Sequence, residues 1–154
     1  MLGLNYKLEK LEKAGTPILT GIIGAGQMGQ GMVSQMYLME GMNPAIVVDI
    51  NTELAKKALL HAGVSEDKIK YTKCSCEADE WIAQGNFVVT DDSKVVTDSK
   101  KIEVLIEATG VTEVGAKIAL DTIMGKKHLV MLNAETDVVI GPLLKKLAES
   151  TDSF

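Results

Sequence analysis

A glycine-rich hexapeptide and one acidic residue carry the clearest chemical signal in this 154-residue chain. Residues Gly24 to Gly29 read Gly-Ala-Gly-Gln-Met-Gly, a G-x-G-x-x-G pattern that follows an apolar run and opens a segment of helical period. Asp49 ends the next apolar run, about 20 residues after Gly29. Together these features predict a turn that binds the pyrophosphate of a dinucleotide.

Each glycine of this pattern has its own physical role. Gly24 permits a tight strand-to-helix turn, Gly26 lacks a side chain that would hold a phosphate away, and Gly29 lets the helix approach the strand. The helix N-terminus then offers unpaired N–H groups and a partial positive charge to the phosphates. The Asp49 carboxylate is expected to accept hydrogen bonds from the adenosine ribose. The alternative is that the glycines only make a turn and that Asp49 caps the next helix.

Asp49 also bears on the choice between NAD and NADP. A carboxylate at this position repels a 2′-phosphate, and NADP-binding proteins usually place an arginine beside it. Here Ile50 follows, and the chain contains no arginine. Lys56 and Lys57 lie one turn further along, where each offers only a point charge. NAD is therefore favoured over NADP, and NADP stays open.

Further candidate residues follow two other apolar runs, because ligands bind beyond the carboxyl ends of parallel strands. Small residues at Ala108 and Gly110 leave room for the cofactor, and Thr109 is expected to donate to a phosphate or ribose. Asn133 is expected at the nicotinamide, and Glu135 is the one candidate catalytic acid or base. All of them are equally compatible with caps or turn formers. The predicted cofactor contacts are Gly24, Ala25, Gly26, Gln27, Met28, Gly29, Asp49, Asn51, Ala108, Thr109, Gly110 and Asn133.

The elements that must position these residues alternate regularly. Apolar runs of strand length alternate with segments of helical period, which predicts an α/β fold with a doubly wound, mainly parallel sheet of about five to six strands. Strands are predicted at about 18–23, 45–48, 86–90, 103–108 and 128–132, and helices at about 1–13, 27–40, 52–61, 112–124 and 140–150. The insertion 63–85 is expected to add a small strand at 69–74 and a short helix around Trp81.

Several single residues have specific expected environments. Thr52 is expected to cap one helix and Pro142 to open the last one. The methionines at 28, 32, 36 and 39 are interpreted as a core stripe. Glu107 ends an otherwise apolar run and therefore needs a hydrogen-bond partner. His61 and His128 lack ligand-like spacing, so no metal site is predicted.

Composition excludes some classes of function. The contents of 46% hydrophobic and 24% charged residues fit one globular domain, 1–154. A net charge of −5 argues against nucleic-acid and anionic-membrane partners. No apolar run is long enough to cross a bilayer, and the Lys/Glu-rich start indicates an amphipathic helix rather than a signal peptide. Cys74 and Cys76 are interpreted as reduced packing residues on the inserted strand, in a cytoplasmic protein.

Three phrases also carry a family resemblance. Gly21 to Gly29, Ile106 to Gly110, and Lys127 to Asn133 with the following Gly141 to Leu147 resemble the N-terminal domain of homoserine-dehydrogenase-like oxidoreductases. The branch they resemble carries a C-terminal SAF domain and includes enzymes like 1-deoxy-D-xylulose 5-phosphate reductoisomerase. The resemblance spans about residues 5 to 150. It implies an NAD(P)-dependent enzyme about three times this length, although the basic residue that often follows the acidic one is Ile50 here. Carried over by position, the cofactor contacts would be Gly24, Gly26, Gly29, Asp49, Thr109 and Asn133.

The sequence therefore predicts the cofactor domain, and N-terminal part, of an oxidoreductase that transfers hydride to or from a small hydroxy or carbonyl substrate. The isolated chain is expected to be inactive, and a homo-oligomer is compatible with the sequence. A dinucleotide-sensing or regulatory module without catalysis is the alternative. An S-adenosylmethionine methyltransferase is disfavoured, because it would place an acidic residue before the first glycine, where Ile22 and Ile23 stand.

Overall fold

A single six-stranded parallel sheet forms the centre of the molecule. The computed structural model describes residues 2–151 and 153–154. In the order of the sheet the strands are β3 (Ile69–Tyr71), β4 (Phe87–Thr90), β2 (Met42–Val48), β1 (Ile18–Ile23), β5 (Val104–Glu107) and β6 (His128–Met131). All neighbouring strands pair in parallel. The predicted doubly wound α/β fold is confirmed.

Helices connect successive strands and cover both faces of the sheet, as parallel pairing requires. Their bounds are α1 (Leu2–Lys13), α2 (Gln27–Leu38), α3 (Thr52–Ala62), α4 (Ser75–Ala83), α5 (Ser93–Thr97), α6 (Thr112–Met124) and α7 (Ala134–Ser150). The predicted first helix included Met1, which lies outside the described residues. None of the described helices has the length and apolar character needed to cross a membrane.

Two hydrophobic layers hold the helices on the sheet, because successive strand side chains point to opposite faces. Strand residues such as Ile22, Val47 and Ile106 pack against buried residues of α2 and α3. Alternate residues such as Ile46 and Leu105 pack against α4, α5 and α6. Both faces of the central strands are therefore buried, which explains their continuous apolar runs.

The register of the central strands brings their carboxyl ends to one edge. Ile23, the last residue of β1, lies opposite Val48 on one side and Glu107 on the other. Val48 in turn lies opposite Thr90, the last residue of β4. The residues that follow β1, β2, β4 and β5 consequently meet at a common edge of the sheet.

The inserted segment contains the expected strand and helix, as β3 and α4. Its cysteines differ from the prediction: Cys74 precedes α4, Cys76 lies in its first turn, and both are exposed. The strand ends at Tyr71, and the Thr72 hydroxyl that follows donates to Glu77 Oε2 over 2.5 Å and accepts from the Cys74 N–H. The cysteines therefore do not pack in the core.

The cap of one helix and the start of another also differ from the prediction. Asn51, not Thr52, caps α3, since its side chain accepts from the Glu53 N–H. Helix α7 begins at Ala134, well before Ile140, because the Asn133 side chain accepts from the Thr136 N–H and caps it there.

Three further features of the helices were predicted wrongly or not predicted. Pro142, expected to open the last helix, lies inside α7 instead. The methionine stripe is core only in part, because Met36 is buried whereas Met28 is 64% exposed. The short helix α5 was not predicted, since it contains the β-branched residues Val95, Val96 and Thr97, which are weak helix formers.

Candidate functional site

The glycine turn leaves β1 in a conformation that only glycine adopts readily. Gly24 has a φ of +100°, in the left-handed region, and its N–H donates to Val48 O over 2.8 Å. A Cβ on Gly24 would lie 2.6 Å from the carbonyl oxygen of Ala108. The turn is thus pressed against the loop after β5, and a side chain at this position would separate them.

Gly26 is the N-cap of α2 and has a different environment from Gly24. It is exposed, its φ of −67° is ordinary, and a Cβ built on it would have no neighbouring atom within 4 Å. No side chain caps the helix here. No side chain therefore occupies the start of α2, as a phosphate-binding helix N-terminus requires.

Asp49 joins the end of β2 to the glycine turn. Its Oδ2 accepts from the Ala25 N–H over 2.7 Å, and its Oδ1 accepts from the Asn51 N–H over 2.8 Å. A carboxylate has about four lone-pair sites, so these two bonds leave acceptor capacity for a ribose diol. Asp49 is half-buried, and these two hydrogen bonds hold its carboxylate in position.

The loop after β5 is organised by the buried Glu107. The Glu107 Oε1 accepts from the Thr109 N–H over 2.8 Å and also from the Thr109 hydroxyl. The expected hydrogen-bond partner of Glu107 therefore exists. Since a threonine hydroxyl has one proton, the predicted donation from Thr109 to a ligand would require the bond to Glu107 to break.

Asn133 is buried rather than open to a cofactor. It is 2% exposed and caps α7, and its Nδ2 has no hydrogen-bond partner among the described residues. Glu107 Oε2 is equally unpartnered there. Both atoms approach Gly115 of α6, where a Cβ would lie 2.8 Å from Asn133 Nδ2 and 2.9 Å from Glu107 Oε2. The absence of a side chain at Gly115 thus leaves room for both of these buried polar atoms.

A cavity of about 350 Å³ runs along this edge of the sheet. It brings together five of the predicted contacts, namely Gly24, Gly26, Asp49, Ala108 and Thr109. The other predicted contacts lie around it: Ala25 and Gly29 are buried behind the turn, Gln27, Met28, Asn51 and Gly110 are exposed beside it, and Asn133 is buried. The glycine turn, the acidic residue and the β5 loop therefore form one continuous site.

Sequence reasoning did not assign several residues of the cavity wall to the site. These are Ile50, Leu54, Asp91, Ser93, Val111, Val114 and Ile118. Asp91 directly follows β4, so the rule that ligands bind beyond carboxyl strand ends would have found it if applied to that strand. Val111 and Val114 lie at the start of α6. Their apolar side chains fit the helical pattern of that segment and give no separate sign of a cavity.

The candidate acid or base Glu135 and the partly buried Lys127 lie outside the cavity. Glu135 is exposed in the first turn of α7 and does not line the cavity. Lys127 precedes β6, at the opposite edge of the sheet, where its Nζ donates to the carbonyl oxygens of Ser99 and Ile102. Burial lowers the pKa of Lys127, although Asp79, Asp98 and Glu103 oppose that effect. The described residues therefore place no proton-transfer side chain other than Asp49 and Asp91 on the cavity wall.

A larger cavity of about 540 Å³ lies elsewhere, between α6, β6 and α7. Its wall is mainly apolar and includes Leu129, Met131 and Leu144. It shares no lining residue with the cavity at the glycine turn. None of the groups that follow the central strands lies on its wall, so the predicted contacts do not meet there.

Comparison with known proteins relates the chain to others by fold. No protein-family model matches the sequence, and no curated protein matches it. A homoserine dehydrogenase from Thiobacillus denitrificans has a similar structure, with a TM-score of 0.65 and 17% identity over 89% of this chain and 28% of the other.

Two further solved structures share the fold. An NAD-binding protein from Listeria innocua gives a TM-score of 0.58 at 16% identity, over 88% of this chain and 33% of the other. Myo-inositol dehydrogenase from Lactobacillus casei, solved with NAD(H) and myo-inositol, gives 0.54 at 17% identity, over 75% and 28%. The chain therefore spans about a third of the length of the structures it resembles, and at these identities the likeness shows the fold alone.

Proposed function

We propose that this chain binds a nicotinamide dinucleotide and is the cofactor domain of an oxidoreductase. The observation that carries the proposal is the single cavity that joins Gly26, Asp49 and Ala108 at the carboxyl edge of the sheet. A dinucleotide extended along this cavity has its pyrophosphate at Gly26 and its adenosine ribose at Asp49. Its nicotinamide half then lies towards Ala108 and the apolar Val111. The structures of similar fold that hold NAD or NAD(H) support this assignment.

NAD is the proposed cofactor in preference to NADP. The Asp49 carboxylate repels a 2′-phosphate, and no arginine exists to offset that repulsion. Lys56 pairs with Glu66 at 2.6 Å, and Lys73 pairs with Asp91 at 2.9 Å, so neither offers a free cation. Lys57 is exposed and would offer a 2′-phosphate only a point charge.

The proposed parent protein transfers hydride between the dinucleotide and a small hydroxy or carbonyl substrate, in the manner of homoserine-dehydrogenase-like enzymes. Residues 1–154 would form its N-terminal domain. The similar solved structures are about three times as long as this chain, which supports a separate substrate domain. Glu135 is exposed and outside the cavity, so it is a poor candidate for proton transfer within this domain.

The binding proposal is tested by comparing Gly26→Val with Gly31→Val. Both glycines are exposed, and a Cβ on either meets no atom within 4 Å, so both variants are expected to fold. Only the valine at Gly26 would fill the space of the pyrophosphate. Calorimetric titration with NAD, NADH, NADP and NADPH should show affinity reduced at least about tenfold in Gly26→Val and unchanged in Gly31→Val. Equal affinities in the two folded variants would remove the phosphate-binding role of the turn.

The catalytic part of the proposal predicts that the isolated chain binds dinucleotide without turning over substrate. Proton-transfer groups must stand within roughly 2.6–3.2 Å of the reacting atom. Loss of a substrate domain also removes an orientation effect worth about 7–11 kcal/mol of the barrier. The purified chain is assayed by NADH absorbance with small hydroxy acids, amino alcohols and sugar phosphates. Turnover of order 1 per second would contradict the prediction and would make Glu135 the first residue to mutate.

A further inference from the structure

The cavity continues past Asp49 to side chains that the proposed ribose and pyrophosphate contacts do not use. They are Ile50, Leu54, Asp91 and Ser93, which we call the outer wall. Strand β4 lies beside β2 on the side away from β1. A base attached to a ribose at Asp49 and pointing away from the pyrophosphate therefore lies over the ends of β2 and β4, against the outer wall.

The apolar part of the outer wall is unusually open. Ile50 is 96% exposed although it directly follows the buried strand β2. Leu54, one turn into α3, is half-buried and packs against the core beneath. A flat aromatic ring laid on Ile50 and Leu54 would remove apolar surface from water, which is favourable.

The polar part of the outer wall is a carboxylate held from the inserted segment. Asp91 Oδ2 accepts from Lys73 Nζ over 2.9 Å, and its Oδ1 accepts from the Tyr71 hydroxyl over 3.2 Å. Tyr71 ends β3, and Lys73 follows two residues later. The insertion thus aligns Asp91 on the cavity wall, a role that the sequence had not assigned to it.

We propose that Asp91 accepts a hydrogen bond from the 6-amino group of the cofactor's adenine, while Ile50 and Leu54 cover the face of the ring. This inference rests on the proposed function, since it needs the dinucleotide in the cavity. The carboxylate has lone pairs beyond those used by Tyr71 and Lys73. Tyr71 and Lys73 are positioning residues, because they hold the carboxylate and need not touch the base.

The chemistry of Asp91 makes it selective among purines. The hydrogen bond from Lys73 lowers the pKa of Asp91, so the side chain is a pure acceptor near neutral pH. Adenine presents an amino donor at its 6-position, whereas hypoxanthine presents a carbonyl oxygen there. Two acceptors facing each other repel, so the 6-oxo analogue of NAD should bind less tightly than NAD.

The test compares NAD with nicotinamide hypoxanthine dinucleotide by calorimetric titration of the whole chain. In the unmodified protein NAD should bind roughly tenfold more tightly than nicotinamide hypoxanthine dinucleotide. This factor corresponds to the lower end of the free energy of a hydrogen bond to a charged group, because Asp91 is half-exposed. Asp91→Asn should bring this ratio close to one, because an amide can donate to the 6-oxo group. The matched control is Asp92→Asn, which removes the same charge one residue away and keeps an N-cap for α5. The control should retain the tenfold ratio.

Each outcome separates this inference from the proposed function. If NAD binds and the unmodified protein does not distinguish the two dinucleotides, the role of Asp91 is wrong and the binding proposal stands. If Asp91→Asn keeps the full preference for NAD, another group reads the base and the inference fails. If neither dinucleotide binds, both the proposed function and the inference are overturned.

Discussion

Replacing Gly29 by alanine should destabilise the protein, whereas the same change two residues later in the same helix should not. A Cβ on Gly29 would lie 1.8 Å from the carbonyl oxygen of Gly24 and 2.9 Å from its carbonyl carbon. These are backbone atoms of the glycine turn, so no flexible side chain can move aside. Helix α2 would have to retreat from the turn by about 1 Å or more to reach ordinary contact.

The expected magnitude combines two opposing effects. Overpacking of this kind costs about 1–3 kcal/mol, and a rigid backbone neighbour puts Gly29 near the top of that range. Alanine recovers about 1 kcal/mol through its higher helix propensity. The net loss for Gly29→Ala is therefore about 2 kcal/mol, or roughly 4–8 °C in Tm for a domain of this size. Gly31→Ala has only the favourable effect, since its Cβ meets no atom within 4 Å, and should gain up to about 1 kcal/mol.

Urea unfolding measures the difference, followed both by circular dichroism and by fluorescence of Trp81, the only tryptophan. Coincident transitions from the two probes would justify two-state free energies. We expect the two variants to differ by about 3 kcal/mol in the free energy of unfolding, as the sum of both effects. If Gly29→Ala is as stable as Gly31→Ala, helix α2 does not approach the turn as described, and the reasoning from its close packing is refuted.

Three other predictions concern Asp49, Gly115 and Lys127. Asp49→Ala should weaken NAD binding more than NADP binding, because it removes both the acceptor for the ribose and the repulsion of a 2′-phosphate. If calorimetry shows that the affinities for NAD and NADP fall by the same factor, this prediction is contradicted. Gly115→Ala should lower the free energy of unfolding in urea by up to about 2 kcal/mol. Its Cβ would lie 2.8 Å from both Asn133 Nδ2 and Thr136 Oγ1, which costs about 1–3 kcal/mol, and the helix propensity of alanine recovers about 1 kcal/mol. Stability equal to that of Gly31→Ala would exclude the clash. The pKa of Lys127 should lie below the ordinary 10.5 in an NMR titration. Between its pKa in the folded protein and 10.5, Lys127 is more fully protonated in the unfolded chain than in the folded one. This group therefore makes the free energy of unfolding rise with pH through that interval. A Lys127→Met variant should lack that rise.

The central sheet and the glycine turn could be predicted because their signals are local. The β1 apolar run, the glycines and Asp49 each have a spacing that physical rules connect to a structure. The hydrogen bond from the Ala25 N–H to Asp49 shows that the glycine turn and the acidic residue meet in the folded protein. Continuous apolar strands likewise predicted burial on both faces of the sheet, which the two core layers show.

Features that depend on distant partners could not be predicted from the sequence. Asp91 belongs to the cavity wall because Tyr71 and Lys73, on another strand and loop, hold it there. Asn133 could have faced a ligand or capped a helix, and only the position of α7 decides that it is buried. The same residue types serve caps and ligand contacts, so their roles follow from tertiary packing.

The geometry of the glycine turn indicates how fold and ligand binding are divided within the site. Gly24 and Gly29 face protein backbone, so they are required for the turn itself, whereas Gly26 faces only open space. Asp49 serves both purposes, because it holds the Ala25 N–H and keeps free lone pairs towards the cavity. The turn is therefore held by contacts within the protein itself. The proposed dinucleotide would not have to order it, and such preorganisation removes an ordering cost that a flexible loop would incur.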